Sequence, residues 1–217
     1  MERQKILNNI DPFLIILLIY IVGLVGHLSL LTLPWMIKLT PFTLLLTGFL
    51  VIISLKPGRN PRLIFWCTGV FILTFLMEIA GVYSGYIFGN YQYGNVLGLK
   101  LLGVPFVIGF NWMLILLGCI IISRRIFSDT LNRAILTALI AVIFDLVMEP
   151  VAIRLSYWQW IDGSVPLQNY LAWGIFAFAS SLAFDKLEVK AGSSYIPARY
   201  LIVQFIFFLC LNIFGLN

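Results

Sequence analysis

Histidine occurs once in the 217 residues, at His27, and cysteine three times, at Cys67, Cys119 and Cys210. A single histidine excludes the multi-histidine iron sites of membrane desaturases and hydroxylases. Each cysteine lies inside an apolar run, with no CxxC pair and no disulfide framework, so all three read as small buried hydrophobes. The chemistry this predicts uses no metal and no cofactor. Charge is equally scarce: Asp, Glu, Lys and Arg make up 11% of the chain, against about 25% in an ordinary soluble domain. Apolar residues make up 61%, more than a soluble fold of this length can hide from water. A soluble enzyme, a nucleic-acid module and a disordered linker are thereby excluded. The mean hydropathy of +1.02 identifies an integral membrane protein.

Seven apolar runs reach, or nearly reach, the length needed to cross a hydrocarbon core of about 30 Å. They are Pro12–Leu33, Leu39–Leu55, Leu63–Phe88, Pro105–Ser123, Leu131–Met148, Asn169–Phe184 and Ile196–Leu216. The first is longer than a signal-peptide core and has no small-residue cleavage site after it, so it reads as a span. No linker or repeat divides the chain, which predicts one all-α membrane domain over residues 1–217. With seven spans, Arg3, Lys5, Lys56, Arg59, Arg62, Arg124, Arg125, Arg133, Lys186, Lys190 and Arg199 share one side, and only Lys38, Lys100 and Arg154 fall on the other. The positive-inside rule then places the N-terminus in the cytoplasm and the C-terminus outside, in the plasma (inner) membrane of a prokaryote. Two outer loops, Asn90–Val104 and Pro150–Gln168, are long and aromatic. Their tyrosines and tryptophans suit an interfacial belt.

Ionisable groups inside membrane spans are costly and mark functional sites by default. Here they are Glu78, Asp145 and Glu149, with His27 a weaker case. At a rise of about 1.5 Å per residue, His27, Glu78 and Asp145 fall about 21–22 Å from the cytoplasmic ends and Glu149 about 27 Å. Asn111, Asn169 and Trp173 reach the same outer-half layer. Asp145 and Glu149 are spaced i, i+4, which puts them on one helical face about 5–6 Å apart. Two carboxyls that close in a low dielectric cannot both ionise easily, so the pair is expected to keep a proton. Pro150 is expected to end or kink that helix, and Arg154 or helix-end dipoles offer an alternative, purely structural neutralisation. Glu78 reads either as a helix–helix hydrogen bond or as a catalytic group, and His27 chiefly as a packed histidine. Gly81, Gly85 and Gly89 form a small-xxx-small ladder whose usual meaning is close helix packing. The alternative is a groove for a flat ligand lined by Tyr83 and Tyr86.

Retinal proteins need a lysine within the last helix, and Ile196–Leu216 has none. Broken helices or internal repeats of the kind transporters show are not evident either. Glu78-Ile-Ala-Gly81, with Gly85, Gly89, Tyr91 and Tyr93, then Gly103-Val-Pro105 and Asn111-Trp112, form one block of familiar residues. Asp145-Leu-Val-Met-Glu149-Pro150, Trp158-Gln-Trp160, and Pro166-Leu-Gln-Asn169 with Trp173 form another. Across roughly Leu63–Phe178 the chain resembles the carotenoid biosynthesis membrane-protein family that includes the CruF-type carotenoid 1,2-hydratases.

That resemblance implies a hydratase acting on the terminal C1=C2 bond of an acyclic carotenoid drawn from the bilayer. Water and membrane lipids would be its other partners, with no nucleic acid. Asp145, Glu149 and Glu78 would be catalytic, one carboxyl protonating the alkene and another accepting the proton that water releases. Trp112, Trp158, Trp160 and Trp173 would stabilise the carbocation through their π faces. His27, Tyr83, Tyr86, Asn111, Arg154 and Asn169 would complete the substrate site. Lycopene-type cyclisation by the same acid chemistry, and a non-catalytic carotenoid- or lipid-binding role, are the alternatives.

Overall fold

The computed structural model describes residues 11–55, 60–190 and 194–215. Of the basic residues assigned above to the cytoplasmic side, Arg3, Lys5, Lys56 and Arg59 lie outside them. The described chain is an all-α helical bundle: α1 (Pro12–His27), α2 (Leu33–Ser54), α3 (Pro61–Ser84), α4 (Phe106–Ile126), α5 (Thr130–Arg154), α6 (Leu167–Lys186) and α7 (Ile196–Phe214). Four short strands sit in the two long loops: β1 (Tyr91–Tyr93), β2 (Lys100–Leu101), β3 (Val104–Pro105) and β4 (Trp158–Trp160). Five helices, α2, α3, α4, α5 and α7, are long and apolar enough to cross a membrane. The 16-residue α1 is apolar but shorter, and α6, which carries Gln168, Asn169, Ser180, Ser181 and Asp185, is not in that set.

Helix α4 is the hub. Its Leu114, Ile115, Leu116, Leu117, Cys119 and Ile120 are fully buried, and it packs on α2, α3, α5, α6 and α7. Most other helices show Leu, Ile and Phe side chains outward, as lipid contact requires. At the basic end, Asp185 on α6 pairs with both Arg124 and Arg133, tying α4, α5 and α6 together.

Three boundaries differ from the hydropathy reading. The first run does not continue to Leu33: α1 stops at His27, a turn follows, and α2 begins at Leu33. Thr32 Oγ1 donates back to Gly26 O at 2.6 Å and closes this turn. Leu30 and Leu31 are apolar and exposed there, so hydropathy gave no sign of it. Lys38 consequently lies within α2, its ammonium over the Trp35 ring at 5.5 Å. Helix α3 ends at Ser84, capped by Gly85 at φ +66°, whereas the apolar run extends to Phe88. Helix α5 passes through Pro150 to Arg154 instead of ending there. One residue past the Leu146 carbonyl that the proline leaves without its helical donor, Asn212 Nδ2 of α7 donates to Val147 O at 2.6 Å.

The glycine ladder is likewise not a packing seam along one helix. Gly81 lies in α3, but Gly85 is its left-handed cap and Gly89, at φ +105°, sits in the following loop. A Cβ on Gly89 would press on Pro166 and Trp160. Both positions need glycine to turn the chain back over the bundle.

Candidate functional site: a carboxyl cluster under an aromatic ribbon

The two aromatic loops pair with each other. Strands β1 and β4 are antiparallel, with Tyr91 opposite Trp160, Gln92 opposite Gln159 and Tyr93 opposite Trp158. The ladder extends through Gly94 N to Tyr157 O at 2.8 Å and Ile161 N to Asn90 O at 2.9 Å. Side chains alternate across a strand. The Tyr-Gln-Tyr and Trp-Gln-Trp triplets therefore turn both glutamines outward and four aromatic rings inward. Ser156, just before β4, adopts φ +58°, a left-handed conformation that any residue but glycine pays for in strain.

The four inward rings divide between two carboxyls. Tyr91 and Tyr93 both donate to Glu78 Oε2, Tyr93 at 2.7 Å. Trp158 and Trp160 donate their Nε1–H groups to Glu149 Oε2, at 2.9 and 3.0 Å. An indole N–H can only donate, so this Glu149 oxygen accepts both bonds. Asn169 Nδ2, from the start of α6, donates to Asp145 Oδ2 at 2.7 Å and lies 3.5 Å from Glu149 Oε1. The remaining oxygen, Asp145 Oδ1, is buried with no hydrogen-bond partner among the described residues. Glu78, Asp145, Glu149 and Asn169 are all nearly inaccessible to solvent. Burial and the neighbouring Glu78 carboxylate also push the hydroxyl of Tyr91 well above its ordinary pKa, so the ribbon tyrosine stays a donor.

These carboxyls border a small pocket of about 20 Å³, walled by Phe88, Trp112, Trp160 and Trp173 among others. Trp112 and Trp173 stack at 3.8 Å between centroids, and Phe88 stacks on Trp173 at 5.1 Å. Next to it lies a cavity of about 370 Å³ between α1, α2, α4 and α7. Ile108, Trp112, Met148 and Trp158 line both spaces and form the partition. Leu18, Val22 and Leu39, exposed on the lipid-facing surface, also border the larger cavity. Among the described residues no group of three or more His, Cys, Asp or Glu is placed to hold a metal ion.

The structure thus brings Glu78, Asp145, Glu149, Trp112, Trp158, Trp160, Asn169 and Trp173 around one pocket. Asn111 turns to the larger cavity, where Gln204 Nε2 and the Tyr200 hydroxyl donate to its Oδ1 at 2.9 and 3.0 Å. His27 lines that cavity too. Arg154 lies elsewhere: it donates to Leu211 O at 2.6 Å and borders a separate pocket of about 230 Å³ with His27. Five residues beyond Glu149, at 3.6 residues per turn, it points about 140° around the helix from the carboxyl face. Tyr83 and Tyr86 are 70% and 88% exposed and border neither space. Sequence reasoning did not single out Gln204, although a glutamine amid the apolar residues of α7 was a signal of the same kind as Asn111.

A family model described as "Carotenoid biosynthesis protein" matches residues 39–217. A curated relative, the bisanhydrobacterioruberin hydratase of Haloarcula japonica, is 30% identical over 187 residues, covering 78% of this chain. The chain spans 64% of that relative's length. No solved structure matches.

Proposed function

The chain belongs to the carotenoid biosynthesis protein family, and from that premise we propose that it hydrates the terminal C1=C2 double bond of an acyclic carotenoid. The observation that carries this reading is Asp145 Oδ1, a buried carboxyl oxygen with no partner among the described residues, set beside an apolar cavity. Glu78 and Glu149 each accept two hydrogen bonds on one oxygen, which favours their ionised forms. Asp145 is the carboxyl left to carry the proton, and it is the general acid.

The polyene enters sideways from lipid past Leu18, Val22 and Leu39. A C40 chain is about as long as the hydrocarbon core is thick, so its end occupies the cavity of about 370 Å³ while the rest stays in the bilayer. When the partition side chains Ile108, Trp112, Met148 and Trp158 move aside to admit the polyene end, Asp145 protonates C2 and a tertiary cation forms at C1. Trp112, which lines both spaces, stabilises it through its π face by about 0.5–2 kcal/mol. The pocket of about 20 Å³ has room for one water molecule. That water attacks C1, and Glu149 or Glu78 takes its proton, which is returned to Asp145 for the next turnover. The sum is alkene plus water to tertiary alcohol, with no change of oxidation state to balance.

The relative's printed activity, hydration, supports water rather than an internal alkene as the nucleophile. Expression in a host that accumulates lycopene-type pigments tests this. A product heavier by one water is expected. An isomer of unchanged mass with a shortened chromophore would make the protein a cyclase, and unchanged pigment from several acyclic substrates would leave a binding protein.

A further inference from the structure

Two cavities meet at His27, which lines both the space of about 370 Å³ and the pocket of about 230 Å³. Its Nδ1 lies 2.7 Å from Gly23 O. A carbonyl oxygen can only accept, so Nδ1 carries the ring hydrogen and the neutral ring presents Nε2 as an acceptor. That Nε2 is buried, and no donor reaches it among the described residues. The ring itself is held edge-on against Phe207 at 5.4 Å, so the lone pair is fixed in direction. Two helical turns earlier on the same face, the Tyr20 hydroxyl is also buried in the wall of the larger cavity, with no hydrogen-bond partner among the described residues. Buried polar groups are almost always satisfied. Most of the polar side chains in this wall, Thr40, Asn111, Tyr157 and Gln204 among them, already bond within the protein, so the acceptor kept open at His27 is matched by a donor on whatever fills the space.

We propose that His27 Nε2 is a hydrogen-bond acceptor for an alcohol group already present on the carotenoid, so that the enzyme prefers hydroxylated acyclic substrates to pure hydrocarbons. This rests on the hydratase reading for the site's location and adds a substrate class to it. The donor requirement is directional. An alcohol offers O–H to Nε2, whereas a ketone or ether at the same place brings a second acceptor and gains nothing. A reaction that installs a hydroxyl on the acyclic chain must therefore precede this step, and the reaction described above adds a further one.

The test compares three carotenoids of equal chain length: a hydrocarbon, a monohydroxylated one and its keto analogue. Binding is read as quenching of tryptophan fluorescence in purified protein carrying Asp145→Asn, which holds the pigment without turning it over. Turnover of all three is read in the unaltered chain. One neutral hydrogen bond corresponds to a preference of about 3- to 10-fold. The hydroxylated pigment is expected to bind tighter than the other two by that factor, with the same order in kcat/KM, and His27→Phe is expected to bring the ratio to about one. Equal binding of all three pigments, or of the alcohol and the ketone, overturns the proposal, as does a ratio that survives His27→Phe. Should His27→Phe not fold, the alcohol-to-ketone ratio in the histidine-bearing protein decides alone. Binding preference without turnover of any pigment would defeat the hydratase reading and leave this one standing.

Discussion

Removing one indole donor from Glu149 tests whether the aromatic ribbon is an electrostatic support or only packing. Trp160 Nε1 lies 3.0 Å and Trp158 Nε1 2.9 Å from the same carboxyl oxygen. A hydrogen bond to a charged group contributes about 1.5–3 kcal/mol and a neutral one about 0.5–1.5. Trp160→Phe loses one such bond together with part of a buried ring. In a Glu149→Gln background the same change loses the same ring atoms but only a neutral bond. The packing loss cancels between the two backgrounds, so the coupling between positions 149 and 160 should be about 1 kcal/mol or more. Reversible unfolding in mixed micles of graded denaturing strength, followed by tryptophan fluorescence, measures all four proteins. The reasoning is refuted if Trp160→Phe costs the same in both backgrounds. The ribbon would then be a hydrophobic lid whose N–H groups do not hold Glu149.

Other expectations follow from single positions. Ser156→Gly should raise stability by up to about 1 kcal/mol in the same unfolding assay, because φ +58° is strained for serine and its side chain is exposed. Gly89→Ala should lower stability by about 1–3 kcal/mol, since the new Cβ meets both an unfavourable φ and Pro166. Asp185→Asn leaves Arg124 and Arg133 facing each other without their shared carboxylate. A loss of about 1–3 kcal/mol is expected there, with the pigment product unchanged in identity. Glu78→Gln keeps an acceptor for Tyr91 and Tyr93, and its turnover in membranes should fall less than that of Asp145→Asn.

Much of the bundle was legible because lipid imposes a simple rule on side chains. Long apolar runs with basic flanks mark helices, and α3, α4, α5 and α7 start close to where hydropathy places them. Turns were less legible. Leu28, Leu30 and Leu31 are as apolar as a helix interior, so nothing in hydropathy separates the end of α1 from the start of α2. Gly85 and Gly89 share the spacing of a helix-packing motif, yet their positive φ values serve a turn. Pro150 reads as an end or a kink, yet the helix runs on through it to Arg154.

The site divides in the same way. Asp145 and Glu149 were visible because i, i+4 spacing and burial are one-helix properties. Asn169 and Trp173 entered through depth and resemblance, and the structure puts them at the same pocket. The pairing of Tyr91 and Tyr93 with Glu78, and of Trp158 and Trp160 with Glu149, depends on two loops 65 residues or more apart in sequence forming one ribbon. Only the alternation in Tyr-Gln-Tyr and Trp-Gln-Trp hinted at strands. Asn111 shares a layer with the carboxyls but faces the other cavity, because depth along a helix says nothing about direction around it.

The central claim is that Asp145 delivers the proton and water captures the cation. Purified protein given an acyclic carotenoid in water labelled in its oxygen should form an alcohol carrying that label. Run in deuterated water, the product should also hold one non-exchangeable deuterium at C2. Asp145→Asn should insert and purify normally while losing about 10²–10⁴-fold in rate, the usual contribution of a general acid. An Asp145→Asn protein that forms labelled alcohol at the unaltered rate would contradict the account.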